Sequence, residues 1–219
     1  MKIDWSKITT VLLDMDGTLL DLHFDNYFWL QHLPDIYSSK MQISRADAMQ
    51  VLESLMRQHH ATLNWYCVDF WSQKLNLDIM LHKAEVAHKI SYRPQAECFL
   101  ELCQSQVDDL RLITNGHREV LKLKIELTEL DRYFDEMVCS HELGAPKEQQ
   151  EFWHELQKLK AFDPDTTLFI DDSEAVLDTA NDYGIRHIYS IAKPDSEKLR
   201  DQDSKYHMLE SFLTGKESD

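Results

Sequence analysis

The sequence predicts an α/β protein, a Rossmann-like parallel sheet with a helical insertion over one end. Three observations carry this. Short apolar runs bounded by turn residues alternate with stretches of helical spacing, the rhythm of right-handed βαβ units. Several of those runs end in, or lead directly into, polar groups able to do chemistry: Asp14 and Asp16, Thr114 and Asn115, Lys147, and Asp171 and Asp172. In a parallel sheet those ends share one side, where open α/β folds place their ligands. The rhythm breaks once, over residues 21–93, where the pattern is helical and rich in aromatics.

Residues 9–14 read as the first strand, running into Asp14-Met15-Asp16-Gly17-Thr18. Gly17 invites a turn that would swing Asp16 back over Asp14. Within 21–93, Ser44 is placed to cap a helix containing Ala48, Val51, Leu52, Leu55 and Met56. Leu63 to Leu75 suggests a second helix and residues 79–90 a third. This insertion is expected to cap the acidic end of the sheet, hinged near Leu20–Asp25 and Ser91–Gln95. The domains are then 1–20 with 94–219 as the α/β core, and 21–93 as the helical cap.

Pro94 fits the first turn of a helix with Phe99, Leu102 and Cys103 inward. Leu110–Thr114 is the second strand and Glu119–Leu130 a helix. Glu136–Ser140 is the third strand, with helix returning from Glu148 to Leu159. Thr167–Ile170 is the fourth strand, and Ser173 caps a helix from Glu174 to Tyr183 that Gly184 stops. Arg186–Ile191 is the fifth strand. The polar tail 194–219 holds one amphipathic piece, Tyr206–Leu213, expected to lie on the sheet edge or fray.

Composition narrows the function. The 219 residues are 43% hydrophobic and 28% charged, ordinary for a globular chain. A net charge of −16 argues against nucleic acid, which needs a basic face. A small phosphate ester needs only one cationic pocket. No apolar run reaches membrane-spanning length and Met1–Trp5 lacks a leader's apolar core, so the expected setting is the cytoplasm. The four cysteines show no Cys-x-x-Cys pair, so no zinc site is expected, and they read as free thiols. The expected state is a monomer or small homo-oligomer.

The inventory fits phosphoryl transfer, which needs an in-line nucleophile, cations for the equatorial oxygens and an acid for the leaving oxygen. Asp14 is a candidate nucleophile or metal ligand, and Asp16 a candidate general acid and base. Asp14 and Asp171 carry the charge to hold Mg²⁺, and Lys147 and Thr114 would contact phosphate oxygens. Each residue alone has an ordinary alternative: a turn aspartate, a surface lysine, a helix-capping acid. Their recurrence at successive strand ends separates the two readings.

With Asp14-Met15-Asp16-Gly17-Thr18, Thr114-Asn115, Lys147 and Asp171-Asp172 in that order, the chain resembles the haloacid dehalogenase (HAD) superfamily of phosphohydrolases. The resemblance implies a sheet ordered 5-4-1-2-3, a C1-type cap and an aspartyl-phosphate mechanism. It implies Mg²⁺ on the Asp14 carboxylate, the Asp16 main-chain carbonyl and Asp171, with Asp172 in support. Gly17, Thr18, Thr114, Asn115 and Lys147 would bind phosphate. An acid at position 16 favours phosphate esters, because dehalogenation at carbon needs none there.

Phe24–Trp29, Thr62–Cys67 and Leu168–Ala175 further resemble bacterial 5′-nucleotidases acting on the purine monophosphates GMP and IMP, with Ala145 standing where that group often has an aromatic. Tyr27, Trp29, Trp65 and Tyr66 are candidates to stack on a purine, and Asn26 or Asn64 to read its edge; the ordinary alternative is that these aromatics form the core of a small cap. The alternatives are a sugar-phosphate phosphatase, a phosphomutase or a non-catalytic binding protein.

Overall fold

The computed structural model describes residues 3–198 and 204–212. The start of the N-terminal stretch, Met1-Lys2, and Leu213 with the end of the tail lie outside the described residues.

Six strands form one parallel sheet: β1 Thr10–Leu13, β2 Asp109–Thr114, β3 Glu136–Cys139, β4 Thr167–Asp171, β5 His187–Ile191 and β6 His207–Leu209. Their order is β3-β2-β1-β4-β5-β6, the expected order extended by one strand. β1 lies at the centre and pairs with β2 (Leu12 opposite Arg111) and β4 (Leu12 opposite Phe169). Its four residues are all buried, as befits a strand covered on both faces.

Alternate residues of β1 feed opposite faces. Val11 and Leu13 join Leu112, Ile170, Phe99 and Leu121 on one side. Leu12 joins Ile113, Phe169, Trp153 and Leu177 on the other. The helices supplying these faces are α7 (Ala96–Gln106) and α8 (Arg118–Thr128) on the first side, and α10 (Gln150–Leu159) and α11 (Glu174–Tyr183) on the second. Gly184, at φ 115°, closes α11 as expected. Ser173 sits at its N-cap but makes no side-chain capping bond there; its amide donates to Asp171 Oδ1 instead.

The tail piece resolves into β6. Leu209 and Phe212 are buried, and Phe212 stacks on Phe99 at 4.7 Å between ring centres.

Residues 23–89 form a helical layer with its own cluster around Phe24, Phe28, Trp71 and Ile79. Its first helix was not foreseen. α1 (His23–Tyr27) continues through a π-helical turn, Phe28–His32, into α2 (Leu33–Met41). The Leu33 amide donates to the Phe28 carbonyl five residues back, just ahead of Pro34, which has no N–H to continue a regular ladder. Only Leu33 and Pro34 of α2 are buried, so no apolar stripe marks it in the sequence.

In α3 (Arg45–Arg57) the Ser44 hydroxyl accepts the Asp47 amide at 3.1 Å, as expected. The helix expected over 63–75 is two, α4 (Leu63–Tyr66) and α5 (Val68–Leu75), broken at Cys67, whose Sγ accepts the Phe70 amide. α6 (Ile79–Glu85) ends early and gives way to a 3₁₀ turn at Ala87–Lys89. The two chain crossings into this layer bond to each other: Asp21 N–H donates to the Ser91 carbonyl at 2.9 Å, and Arg93 N–H to the Leu19 carbonyl at 2.8 Å.

Candidate active site

The C-terminal ends of β1, β2 and β4, the turn at Pro146–Lys147 and the helical layer enclose a cavity of about 270 Å³. Asp14 follows β1 directly and donates its amide to the Ile170 carbonyl of β4 at 3.0 Å. Asp171 is the last residue of β4. Between them lies Lys147, with Nζ 2.5 Å from Asp14 Oδ1 and 2.6 Å from Asp171 Oδ2, and bonded to the Ile113 carbonyl at 3.2 Å. All three are buried. Burial pushes the Asp14 and Asp171 carboxyls up and the Lys147 ammonium pulls both down. For Lys147 the two carboxylates outweigh burial and raise its pKa.

Two carboxylates sharing one ammonium leave negative charge in a dry place. One carboxylate oxygen from each of Asp14, Asp171 and Asp172 lies within 4.8 Å of the others. An all-oxygen, carboxylate-rich donor set fits a hard cation such as Mg²⁺.

Asp16 turns away from this trio. Its Oδ1 meets Lys124 Nζ at 2.5 Å, and the same ammonium meets Asp25 Oδ2 at 2.6 Å. Asp25 Oδ1 in turn meets Lys83 Nζ at 2.7 Å. Burial raises the Asp16 carboxyl to about 6, with Lys124 opposing and Asp25 and Asp14 assisting. This relay of two acids and two buried lysines joins the helical layer to the core. Sequence reasoning missed Asp25, Lys83 and Lys124. A signal existed: Lys124 stands four residues after Val120 and three after Leu121, inside the inward stripe of α8, where a lysine is buried only with a charged partner.

Thr114 Oγ1 accepts the Gly116 amide at 2.9 Å. Asn115 accepts the Lys147 amide at 2.9 Å and donates to Glu148 Oε2 at 2.8 Å, while the Tyr66 hydroxyl donates to Glu148 Oε1. Thr114, Asn115 and Lys147 thus line the cavity with Asp14, Asp16, Asp171 and Asp172.

Gly17 and Thr18 do not line it. They form the turn below it, Gly17 at φ 83°, with the Asp172 carboxylate where a Cβ would stand. Thr18 is fully buried, and Arg93 donates to its carbonyl at 3.0 Å.

The helical layer contributes Asn26, Trp29, Trp65 and Tyr66 to the cavity, with Lys83. Tyr27 and Asn64, the other candidates, are not brought there. Tyr27 lies beside Asn26 on a helix and so faces elsewhere: its ring meets His23 and His32, with Lys89 Nζ 4.1 Å from its centre. Asn64 is exposed on the outer side of α4 from Trp65. Asn26 donates to Asp195 Oδ2 at 2.6 Å.

Comparison with known proteins gives concordant matches. The family model described as haloacid dehalogenase-like hydrolase matches residues 11–189. A GMP/IMP nucleotidase, YrfG, from Escherichia coli strain K12 is 39% identical over 212 residues, 97% of this chain and 96% of that protein. Among solved structures, the HAD phosphatase from Thermococcus onnurineus superposes with a TM-score of 0.73 at 23% identity, covering 92% of this chain and 93% of that one. The putative HAD-hydrolase YfnB from Bacillus subtilis, bound to magnesium, gives 0.61 at 18% identity, covering 94% and 95%. These last two show the shared fold. Among the described residues no helix is long and apolar enough to cross a membrane.

Proposed function

The chain belongs to the haloacid dehalogenase-like hydrolase family, and from that premise we propose that it is a Mg²⁺-dependent 5′-nucleotidase for purine monophosphates. One observation carries the reading. Asp14 and Asp171 share the buried Lys147, while Asp16, two residues on, is held apart by Lys124. That separates a nucleophile from an acid within one cavity.

Asp14 attacks phosphorus, the ester P–O bond breaks, and Asp16 gives its proton to the leaving ribose oxygen. Water then attacks the aspartyl phosphate, Asp16 takes its proton, and phosphate leaves with Asp14 restored. Lys147 and Thr114 hold phosphate oxygens through these steps, with Asn115 fixing the Lys147 backbone. Asp14, Asp171 and the Asp16 main-chain carbonyl, with Asp172 beside them, would hold Mg²⁺, which would supply positive charge to the same oxygens.

The purine reading is supported by the 39% identical relative named as a GMP/IMP nucleotidase and by Trp29 and Trp65 in the cavity wall. Asn26 offers a base its carbonyl oxygen, its amide nitrogen being engaged by Asp195. Residues 21–93 act as the cap over a core of 1–20 and 94–219. The enzyme works in the cytoplasm, where its four free thiols persist, as a monomer or small homo-oligomer. A sugar-phosphate phosphatase or phosphomutase is the second reading, favoured by Lys83 in the cavity; Asp25 neutralises that lysine.

Phosphate release from GMP, IMP, AMP, UMP and sugar phosphates, with Mg²⁺ and with EDTA, tests this. Mg²⁺-dependent preference for GMP and IMP is expected. Preference for sugar phosphates would keep the Asp14/Asp16 chemistry and discard the purine assignment. Turnover surviving Asp14→Asn would discard the aspartyl-phosphate route.

A further inference from the structure

Beside the cavity, three soft ligands meet from separate parts of the chain. Cys67 stands at the break between α4 and α5 in the helical layer. His117 caps α8 directly after Thr114-Asn115-Gly116, and His141 lies in α9 (Ser140–Leu143) after β3. The two rings are 5.0 Å apart between centres, and one donor atom of each of the three residues lies within 4.8 Å of the other two. We propose that Cys67, His117 and His141 form a second metal site, distinct in chemistry from the carboxylate centre, for Zn²⁺ or another borderline transition-metal ion.

Both ring nitrogens of His141 are buried, and neither completes a hydrogen bond among the described residues. The Leu63 backbone lies nearby. Buried imidazole nitrogens without partners are costly, and a metal ion satisfies one of them directly. With neither nitrogen taken up by a partner, the ring has a nitrogen to turn to a metal.

His117 Nε2 lies 3.8 Å from Asp69 Oδ2. Nδ1 accepts the Glu119 amide only at a long 3.4 Å, so the ring is held loosely enough to turn a nitrogen toward a metal.

A tetrahedral Zn²⁺ needs its S and N donors roughly 3.4–3.6 Å apart, so closure of about 1 Å completes the set, with water in the fourth place. Cys67 would bind as the thiolate, its proton passing to solvent. Thiolate and imidazole select Zn²⁺ over Mg²⁺, while the carboxylate trio suits Mg²⁺. Because Cys67 comes from the helical layer and both histidines from the core, the ion ties the two together at the cavity wall.

The test is a Co²⁺ titration of the full chain in excess Mg²⁺, reading thiolate-to-cobalt charge-transfer absorbance, followed by Zn²⁺ displacement. A saturable band that Zn²⁺ bleaches is expected. Cys67→Ser should lose it. His141→Gln should weaken Co²⁺ binding by more than the roughly 10–100-fold that loss of an outer partner costs. In the unaltered chain, Zn²⁺ should slow alkylation of Cys67 and not of exposed Cys98. No band in the wild type, a band retained in Cys67→Ser, or unchanged alkylation of Cys67 would each overturn the site. The alkylation readout needs no variant, so it holds even if a substitution unfolds the chain.

Discussion

Lys124 Nζ lies 2.5 Å from Asp16 Oδ1, although 108 residues separate them in the chain. On the proposed route, the contact aims the carboxyl that would give its proton to the leaving oxygen. Lys124→Met should lower kcat for a nucleotide by about 10²-fold, the cost of a misplaced catalytic group. The loss should be much smaller with p-nitrophenyl phosphate, whose leaving group needs no proton. Steady-state kinetics on both substrates checks this; equal losses would mean that Lys124 serves structure alone.

Asp25 sits between Lys83 and Lys124. Burial works to raise its pKa, but the two ammoniums outweigh it and hold the carboxyl well below the usual range. A depressed folded-state pKa contributes stability that is present above the unfolded value near pH 4 and is lost as pH falls toward the folded value. Asp25→Asn should cost about 3–5 kcal/mol at neutral pH, because it strands buried positive charge. The gap from wild type should narrow below about pH 4. Urea unfolding at pH 7 and pH 3 measures it, and a constant gap would contradict the ion-pair account.

Trp29 and Trp65 face the cavity where a base would lie. Stacking of a base on an aromatic ring is worth about 1–3 kcal/mol, so Trp65→Ala should raise KM for GMP roughly tenfold. The KM for a small phosphate ester without a base should hardly move. Equal rises for both would place Trp65 in the wall rather than at the base.

Gly17 carries φ 83°, and a Cβ there would come 2.5 Å from Asp172 Oδ2. Gly17→Ala should therefore displace the Asp172 carboxylate beside Asp14 and Asp171 and raise the Mg²⁺ concentration needed for half-maximal activity. Unchanged Mg²⁺ dependence would show that Asp172 takes no part in holding the ion.

Strands β1 to β5 were legible because each is a short, largely apolar run between turn residues, whereas β6 was read only as an amphipathic piece. Thr167–Asp171 and Glu136–Cys139 fall within a residue of their expected bounds. The first helix of the layer was not, because α1 and α2 bury too few residues to show a stripe and pass through a π turn before Pro34. Tyr27 and Asn64 look as suitable in sequence as Trp29 and Trp65. Their side chains leave the cavity because helix neighbours point in different directions.

The sequence by itself determined the α/β class and the candidate groups that gather at the sheet edge with Asp14; the strand order came only as what the family resemblance implies. The class and the edge follow from local apolar patterning and from the one edge a parallel sheet offers its polar ends. Only the tertiary structure decided that Lys124 and Lys83 neutralise Asp25, that Asp16 faces Lys124 rather than Asp14, and that Cys67, His117 and His141 converge. These are contacts between elements distant in the chain. Their partners are chosen by how helices pack across the sheet edge, which no local pattern records.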